Sequence, residues 1–410
     1  MQRKRADGFG HIGLVIIIVV IAVIGMVGWR VSKQLNKSGG GKPSEILRSN
    51  DSSENKAVKA GKHISGNRCS GTEKLTFTHL PMKESDFSII VPYGLVVGYH
   101  VTPIDHQYFS PASYNSPRDA YPVYAMADAQ IVDIQPRTNN KGTEYRFVFA
   151  HSCTSLYYYD LVTSLSGKVK EAYEKNRSVN MPIKAGEQVG MIGGQTLDFA
   201  YWDTDKPLTG FVNPASYDGE AWKIFTADPL PMYTPELRVI VEARNPRTVE
   251  PRSGKIDHDI DGKLVGNWFV SGSGGYSGTN QGRSDTYAST HLSIAPNLYD
   301  PTHFNISIGD FGGNAEQFAA KGNAPDPATV SKDTGLVKYE LQKYSYLEPS
   351  GAFWDNKSLI KGPKVKNVDQ TEGCLLVQMI EDRQVKAEPF VKKSCSAVAG
   401  FTSSAKVYAR

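Results

Sequence analysis

This sequence lacks several features that would assign it to a function directly. It has only 4 cysteines among 410 residues. None are spaced as Cys-x-x-Cys, so a structural zinc knot is not indicated. No Gly-x-Ser-x-Gly occurs, which argues against a hydrolase built on a nucleophile elbow. Long helical patterns are few, whereas short alternating strands bounded by Gly, Pro or Asn are common, so the pattern predicts a mainly β fold.

A basic excess is also missing from most of the chain. The formal net charge is +4, but residues 1–50 contain eight Lys/Arg and two Asp/Glu, which leaves −2 for the remaining 360 residues. Because nucleic-acid binding needs a clustered basic surface, we expect no nucleic-acid partner. The N-terminal basic residues instead flank an apolar run, a position in which they attract anionic lipid.

That apolar run predicts a membrane anchor. No charged residue occurs from Gly8 to Trp29, and the 18 residues from Ile12 onward would form a helix about 27 Å long, close to the hydrocarbon thickness of a bilayer. We therefore predict a transmembrane helix over residues 8–30 with a cytoplasmic tail over residues 1–7, so the partner is the lipid bilayer. No small-residue cleavage site follows, which favours an uncleaved signal-anchor of a single-pass cell-membrane protein whose body is extracytoplasmic. Pilin-like processing is less favoured, because Gly13 stands where pilins carry Glu.

The four cysteines form an even set in a body that we expect to be exported. Two disulfides are then the natural prediction. Cys374 and Cys395 flank a predicted hairpin, and closing that loop would stabilise the fold by about 3 kcal/mol in the chain-entropy model. Pairing of Cys69 with Cys153 follows by elimination.

Composition divides the rest of the chain into three parts. Residues 31–65 are polar and rich in Gly, Ser and Lys, which is typical of a flexible linker. Residues 66–248 and 249–410 each contain a series of short strands, and a proline-rich, charged stretch separates them. The seven or so strands of the last part predict a small closed barrel or a sandwich. Its Gly266-Asn267-Trp268 is similar to the Gly-x-Trp of lipocalin-like barrels.

One stretch carries a more extensive resemblance to a known family. The segments YPVYAMADAQIVDI (121–134) and PIKAGEQVGMIGG (182–194) are similar to the strand-and-hairpin pattern of lysostaphin-type zinc peptidases. The resemblance covers roughly residues 89–203 and implies a twisted β-sheet domain with a glycine-rich hairpin. In active members of that family, a zinc ion with an open coordination position activates water for amide hydrolysis.

Carried onto this sequence, the resemblance places vestigial metal ligands at His100, Asp105 and Asp198. The first two lie one residue further apart than the family's His-x-x-x-Asp pair. Asp160 and Thr196 stand where the family carries its catalytic histidines. Because loss of one group that stabilises the oxyanion costs roughly a hundredfold or more in rate, the resemblance implies a domain without catalytic activity.

Two further points stay open at this stage. The remaining His/Asp/Asp set could still hold zinc, although we expect no cofactor. His106 and His151 are possible replacements for the missing histidines. Whether either side chain reaches the site depends on the fold.

Weaker signals occur elsewhere. Asp257, Asp259 and Asp261 alternate as in the first half of a calcium loop, but Trp268 stands where that loop requires Glu. The run Tyr157–Tyr159 alternates between the two faces of a strand, so we expect at least one of these rings to be exposed, where it could stack on a sugar.

Together these patterns favour a membrane-anchored extracytoplasmic protein that binds or scaffolds the cell wall (peptidoglycan) or an envelope protein without catalysis. A zinc-dependent cell-wall metallopeptidase with rearranged ligands is the alternative from the enzyme class. A purely structural subunit of an envelope assembly is the third possibility. Zinc content separates the second possibility from the others.

Overall fold

The computed structural model describes residues 55–278 and 287–410. The predicted tail, transmembrane helix and most of the predicted linker lie outside these residues. Within them, no helix is both long and apolar enough to cross a bilayer. The described chain is mainly β, with helices α1 Lys56–Ile64, α2 Gly167–Asn176 and α3 Pro235–Ala243.

The first half of the described chain is built on an antiparallel sheet. Its strand order is β1-β2-β10-β6-β5-β4-β8, with β11 paired to β10, and a separate small sheet has the order β3-β9-β7. The strands are β1 Phe87–Val91, β2 Gln107–Pro111, β3 Tyr121–Tyr124, β4 Ala129–Asn139, β5 Gly142–Ala150, β6 Ser155–Val162, β7 Ser164–Leu165, β8 Met181–Ile183, β9 Gln188–Ile192, β10 Leu197–Asp203 and β11 Thr226–Ala227.

Both faces of the large sheet are covered at its centre. On one face, Tyr157 and Tyr159 share a core with residues of the small sheet. On the other face, Tyr158 stacks on Trp202, with ring centroids 5.0 Å apart. All eight residues of β6 are therefore buried. The expectation that one of the three tyrosines would be exposed is wrong, because a central strand between two cores has no solvent face.

The second half forms a closed antiparallel barrel, which is one of the two architectures that the sequence predicts, the other being a sandwich. Eight strands follow one another around it in chain order. They are β12 Gly266–Val270, β13 His291–Pro296, β14 Phe304–Phe311, β15 Asn314–Ala320, β16 Val337–Leu347, β17 Lys364–Glu381, β18 Gln384–Val391 and β19 Lys406–Ala409.

Trp268 belongs to the apolar core of this barrel. Its side chain is fully buried, and its Nε1 donates to the carbonyl of Leu264 at 2.7 Å. The Arg410 guanidinium lies 4.0 Å from the centre of the indole ring. The same guanidinium donates to the carbonyl of Val265 at 2.7 Å, so one buried cation joins the first barrel strand to the segment that precedes it.

Both predicted disulfides are present. Cys69 is bonded to Cys153, which joins the segment after α1 to the turn between β5 and β6. Cys374 is bonded to Cys395, which joins β17 to the segment that follows β18.

The linker prediction is wrong for residues 56–64, which form α1 and pack on the domain. The Asn55 side chain caps the helix by accepting from Ala57 N at 2.9 Å. Ala57, Ala60 and Gly61 are buried on its inner face. Glycine is required at one of these positions, because a Cβ on Gly61 would lie 1.6 Å from the Cys153 carbonyl oxygen.

The two halves share apolar clusters. One contains Tyr93 and Trp222 from the first half with Phe269 and Tyr276 from the barrel. A second combines residues of both halves around the loops that face each other: Ile89, Val91, Ile104, Tyr108, Leu298, Tyr299, Tyr346 and Trp354. Continuous apolar packing of this kind holds the two halves in one arrangement.

Replacing Gly61 with alanine tests the docking of α1. We expect the free energy of unfolding to fall by about 1–3 kcal/mol, because the helix must shift away from Cys153. Gly400→Ala is the matched control, since no atom lies within 4 Å of its added Cβ. Urea denaturation measures both variants, and equal stability would contradict the close approach.

Candidate functional site: a buried polar centre

Three neighbouring strands bring two of the predicted ligands, Asp105 and Asp198, to one place. Asp198 on β10 lies directly opposite Tyr108 on β2 and opposite Asp160 on β6. Asp105 and His106 immediately precede β2. We refer to Asp105, His106, Asp160, Asp198 and Lys223 as the polar centre, and all five are buried.

His106 bridges the two carboxylates that the sequence assigned to a metal. Its Nδ1 lies 3.2 Å from Asp105 Oδ1, and its Nε2 lies 3.5 Å from Asp198 Oδ2. Nε2 is also 3.1 Å from the Tyr108 hydroxyl. The imidazole ring thus stands between Asp105 and Asp198, which separates their carboxylates by the width of the ring.

Lys223 supplies a buried positive charge to the same place. Its Nζ lies 2.9 Å from Asp105 Oδ1 and 3.1 Å from Glu220 Oε2. The other Asp105 oxygen accepts from Trp222 Nε1 at 3.1 Å. Burial opposes ionisation of both partners, but their mutual attraction outweighs it, so the pKa of Asp105 is lowered and the pKa of Lys223 is raised.

A second ion-pair group lies on the neighbouring strand. Asp160 accepts from Arg146 Nε at 2.8 Å and is also paired with Arg137. Burial opposes its ionisation, but the two guanidinium groups outweigh that effect and hold the pKa of Asp160 below its usual value. At the position where the resemblance implies a catalytic histidine, the chain therefore carries a doubly paired carboxylate.

His100 lies beside the centre without joining it. Its ring centroid is 5.8 Å from that of His106. Its Nε2 is buried and has no hydrogen-bond partner among the described residues. Burial, with the nearby His106 and Lys223, lowers the pKa of His100 to about 3, so its imidazole is neutral at neutral pH.

His151 is not near the centre. Its Nδ1 lies 2.7 Å from the carbonyl oxygen of Asp128. It precedes β6, whereas Asp160 stands five residues beyond Ser155, the first residue of that strand. At about 3.3 Å per residue, roughly 16 Å of strand separates the two ends. Of the two histidines considered as replacements, only His106 reaches the centre.

The three predicted ligands do not fit a zinc site in this arrangement. Asp105 already pairs with the Lys223 ammonium and accepts from the Trp222 indole N–H. The His106 imidazole stands between Asp198 and Asp105. The His100 ring makes no hydrogen bond to either carboxylate. Across residues 55–278 and 287–410, no group of three or more His, Cys, Asp or Glu side chains is arranged to hold a metal. The donor set resembles an internal ion-pair network in which Lys223 provides the cation.

The three aspartates of the calcium-loop pattern do not meet at one site. Asp257 accepts from Gly210 N at 2.7 Å, and Asp259 accepts from Val212 N at 3.1 Å. Asp261 pairs with Arg383 at the surface. The three carboxylates therefore serve three different contacts, and the pattern is that of an interdomain connection.

The barrel covers the polar centre. The Tyr276 ring centroid lies 4.5 Å from Lys223 Nζ, a cation–π contact. A Cβ on Gly275 would lie 2.3 Å from the Ser216 carbonyl oxygen, which shows how closely this barrel segment approaches the first half. Gln317 on β15 donates to the Gly98 carbonyl and accepts from Gly98 N, both at 2.8 Å, and thereby holds the loop that carries His100.

Sequence reasoning missed Lys223, Glu220 and Trp222, which lie in the segment Pro214–Phe225, where two 3-10 helical stretches are joined by a kink at Glu220. A lysine enclosed by apolar residues in Ala-Trp-Lys-Ile-Phe (221–225) was the available signal. Such a lysine is buried only when it is paired.

Replacing Lys223 with methionine tests the role of the buried ammonium. Methionine is unbranched and only one atom shorter than lysine, but it leaves Asp105 and Glu220 without their cation. We therefore expect a loss of about 3–5 kcal/mol in the free energy of unfolding. Lys206→Met, at an exposed position, is the matched control and should change stability little. A loss at Lys223 no larger than at Lys206 would contradict the network.

Asp198 gives the centre a pH dependence of defined sign. Burial, with the charge of Asp160, raises the pKa of Asp198 to about 7 despite the opposing effect of His106. The folded state then retains a proton that the unfolded chain has lost, so stability falls as pH rises from about 4 to about 7. Asp198→Asn removes this loss. Relative to the unsubstituted chain, we expect the variant to gain roughly 3 kcal/mol between pH 5 and pH 8.

Urea denaturation at the two pH values measures that difference. Asp333→Asn, an exposed position in the barrel half, is the control and should follow the unsubstituted chain at both. An Asp198→Asn variant whose stability also follows the unsubstituted chain at both pH values would show that Asp198 is ionised throughout.

Comparison with known proteins gives limited similarity. No protein-family model matches the chain, and no curated protein matches it in sequence. The crystal structure of a zinc-containing peptidase from Vibrio cholerae is 16% identical over 33% of this chain and 39% of its own length, with a TM-score of 0.24. The solution structure of lysostaphin is 12% identical over 72% of this chain and 100% of its own, with a TM-score of 0.25. Similarities of this size do not assign the chain to a family.

Proposed function

We propose that this chain is a non-catalytic binding or scaffolding protein of the cell envelope, with cell-wall peptidoglycan as its partner. Its first half has the strand-and-hairpin sequence pattern of a wall peptidase, but Asp105 and Asp160 of its polar centre are paired with cations of the protein itself. The proposed anchor is the apolar segment 8–30, with the N-terminus in the cytoplasm and the two β halves outside. The two disulfides support an oxidising compartment outside the cytoplasm.

One observation carries the non-catalytic part of the proposal. Lys223 Nζ lies 2.9 Å from Asp105, the carboxylate that the sequence resemblance assigns to a metal. An ammonium in that contact competes with a divalent cation for the same oxygen by charge and by position. A hydrolytic zinc site also needs an open coordination position and access for substrate, whereas Tyr276 covers Lys223 from the barrel side.

The proposal predicts retention on purified cell-wall sacculi without hydrolysis. The full chain, purified in detergent without chelator, should sediment with sacculi and leave their turbidity unchanged. Elemental analysis of the same preparation should give less than roughly a tenth of an equivalent of zinc, since the centre supplies no complete ligand set. Heat-unfolded protein is the control for non-specific sedimentation.

Two outcomes would contradict the proposal in different ways. About one equivalent of zinc, together with clearing of the sacculi that a chelator abolishes, would favour the metallopeptidase. Failure of the folded protein to sediment above the unfolded control would remove the wall as partner, while leaving the non-catalytic centre intact.

A further inference from the structure

A cavity of about 460 Å³ lies in the second half, apart from the polar centre, and the first half contributes Gly210 to its lining. It is bounded by the segment Lys255–Ile260 and by the loops that join β13 to β14 and β15 to β16. Its volume falls within the range of about 300–1,000 Å³ that is usual for small-molecule sites. None of the five residues of the polar centre lines it.

Hydrogen bonds hold the walls of the cavity in place. The Asn323 side chain donates to the Thr302 carbonyl at 2.8 Å and accepts from Phe304 N at 3.3 Å, so it ties the two barrel loops together. On the facing side, Asp257 accepts from Gly210 N at 2.7 Å, and Asp259 N donates to the Gly210 carbonyl at 2.9 Å. Because both sides are fixed by the protein itself, the cavity is preformed.

The polar groups that line the cavity include both hydrogen-bond donors and hydrogen-bond acceptors. His258 Nε2 lies 3.0 Å from the Lys255 carbonyl oxygen, so it carries the proton and leaves Nδ1 as an acceptor. Burial lowers the pKa of His258 to about 4, which keeps its ring neutral at neutral pH. Lys255 Nζ lies 3.3 Å from Asp257 Oδ1. His303 and the exposed carboxylate of Asp326 also line the cavity.

The charges of these groups argue against a strongly charged ligand. Lys255 is balanced by Asp257, Asp259 is paired with Arg410, and Asp326 adds a further negative charge. The cavity therefore has no cluster of cations for a phosphate. The apolar part of the wall consists mainly of ring faces: Pro296, Pro301, Phe304 and Pro327. Acceptors and donors placed beside flat apolar faces suit a ligand that carries many hydroxyl groups on a ring.

We propose that this cavity binds one or two sugar units of an uncharged glycan. The inference rests on the proposed function, because it names the glycan part of the cell wall as the ligand. Carboxylate and imidazole acceptors would accept hydrogen bonds from the sugar hydroxyl groups, and the Lys255 ammonium would donate to a sugar oxygen. The proline rings would pack on the sugar face.

Calorimetric titration of the full chain with the disaccharide chitobiose tests this site. We expect saturable binding by the unsubstituted chain, weakened roughly tenfold or more by His303→Ala and by Asp326→Ala, since each removes a hydrogen-bond partner. His79→Ala and Asp333→Ala make the same substitutions at exposed positions outside the cavity and should bind as the unsubstituted chain does. Thermal unfolding of each variant confirms that it is folded.

The outcomes separate this inference from the proposed function. Absence of chitobiose binding, or binding that both cavity variants retain at full strength, overturns the cavity as a sugar site even if the protein sediments with sacculi. Chitobiose binding that is weakened by the substitutions at His303 and Asp326 supports the cavity as a sugar site. It does so even if the protein fails to sediment with sacculi. That failure would count only against the wall as partner.

Discussion

The contact between the Lys223 ammonium and the Asp105 carboxylate is the interaction on which the rest of this structure depends. Two opposite charges removed from water carry a large desolvation penalty, which close pairing offsets only in part. Here Glu220 and the Trp222 indole satisfy further atoms of the same pair. Because the charges are neutralised within the first half, the barrel can close over them with aromatic side chains.

Pairing of opposite charges also explains how the polar centre accommodates several buried titratable side chains. Asp160 is held ionised by two arginines, whereas Asp198, without a cation of its own, holds its proton up to about neutral pH. Two carboxylates on directly opposed positions of neighbouring strands thus take different protonation states. The difference follows from their partners, since both are buried to a similar degree.

Patterns of short range were predictable from the sequence. Strand alternation and turn residues predicted a barrel or a sandwich, and the Gly-Asn-Trp at its first strand contains the tryptophan found in the barrel core. The cysteines gave both disulfides because an even set in an exported body leaves few pairings. The resemblance brought Asp105 and Asp198 to the same region, since it fixes which strands are neighbours.

Contacts of long range were not predictable. Lys223 reaches Asp105 through a 3-10 helical segment without periodicity, so no local pattern connects the two. In α1, the buried face consists of Ala57, Ala60 and Gly61, whose small side chains give almost no hydrophobic signal; close backbone approach fixes that helix in place. The burial of β6 on both faces likewise depends on the residues that pack against each face of the sheet. The sequence of the strand alone does not show which residues these are.

The bond between Cys69 and Cys153 has a mechanical consequence. A pull on the chain from its N-terminal side reaches Cys69 and passes through the sulfur–sulfur bond to Cys153, at the start of β6. The polypeptide between them, a separation of 84 residues, lies outside that load path. Strands β1 to β5 would therefore bear no direct tension, and the force would enter the protein at the central strand of its large sheet.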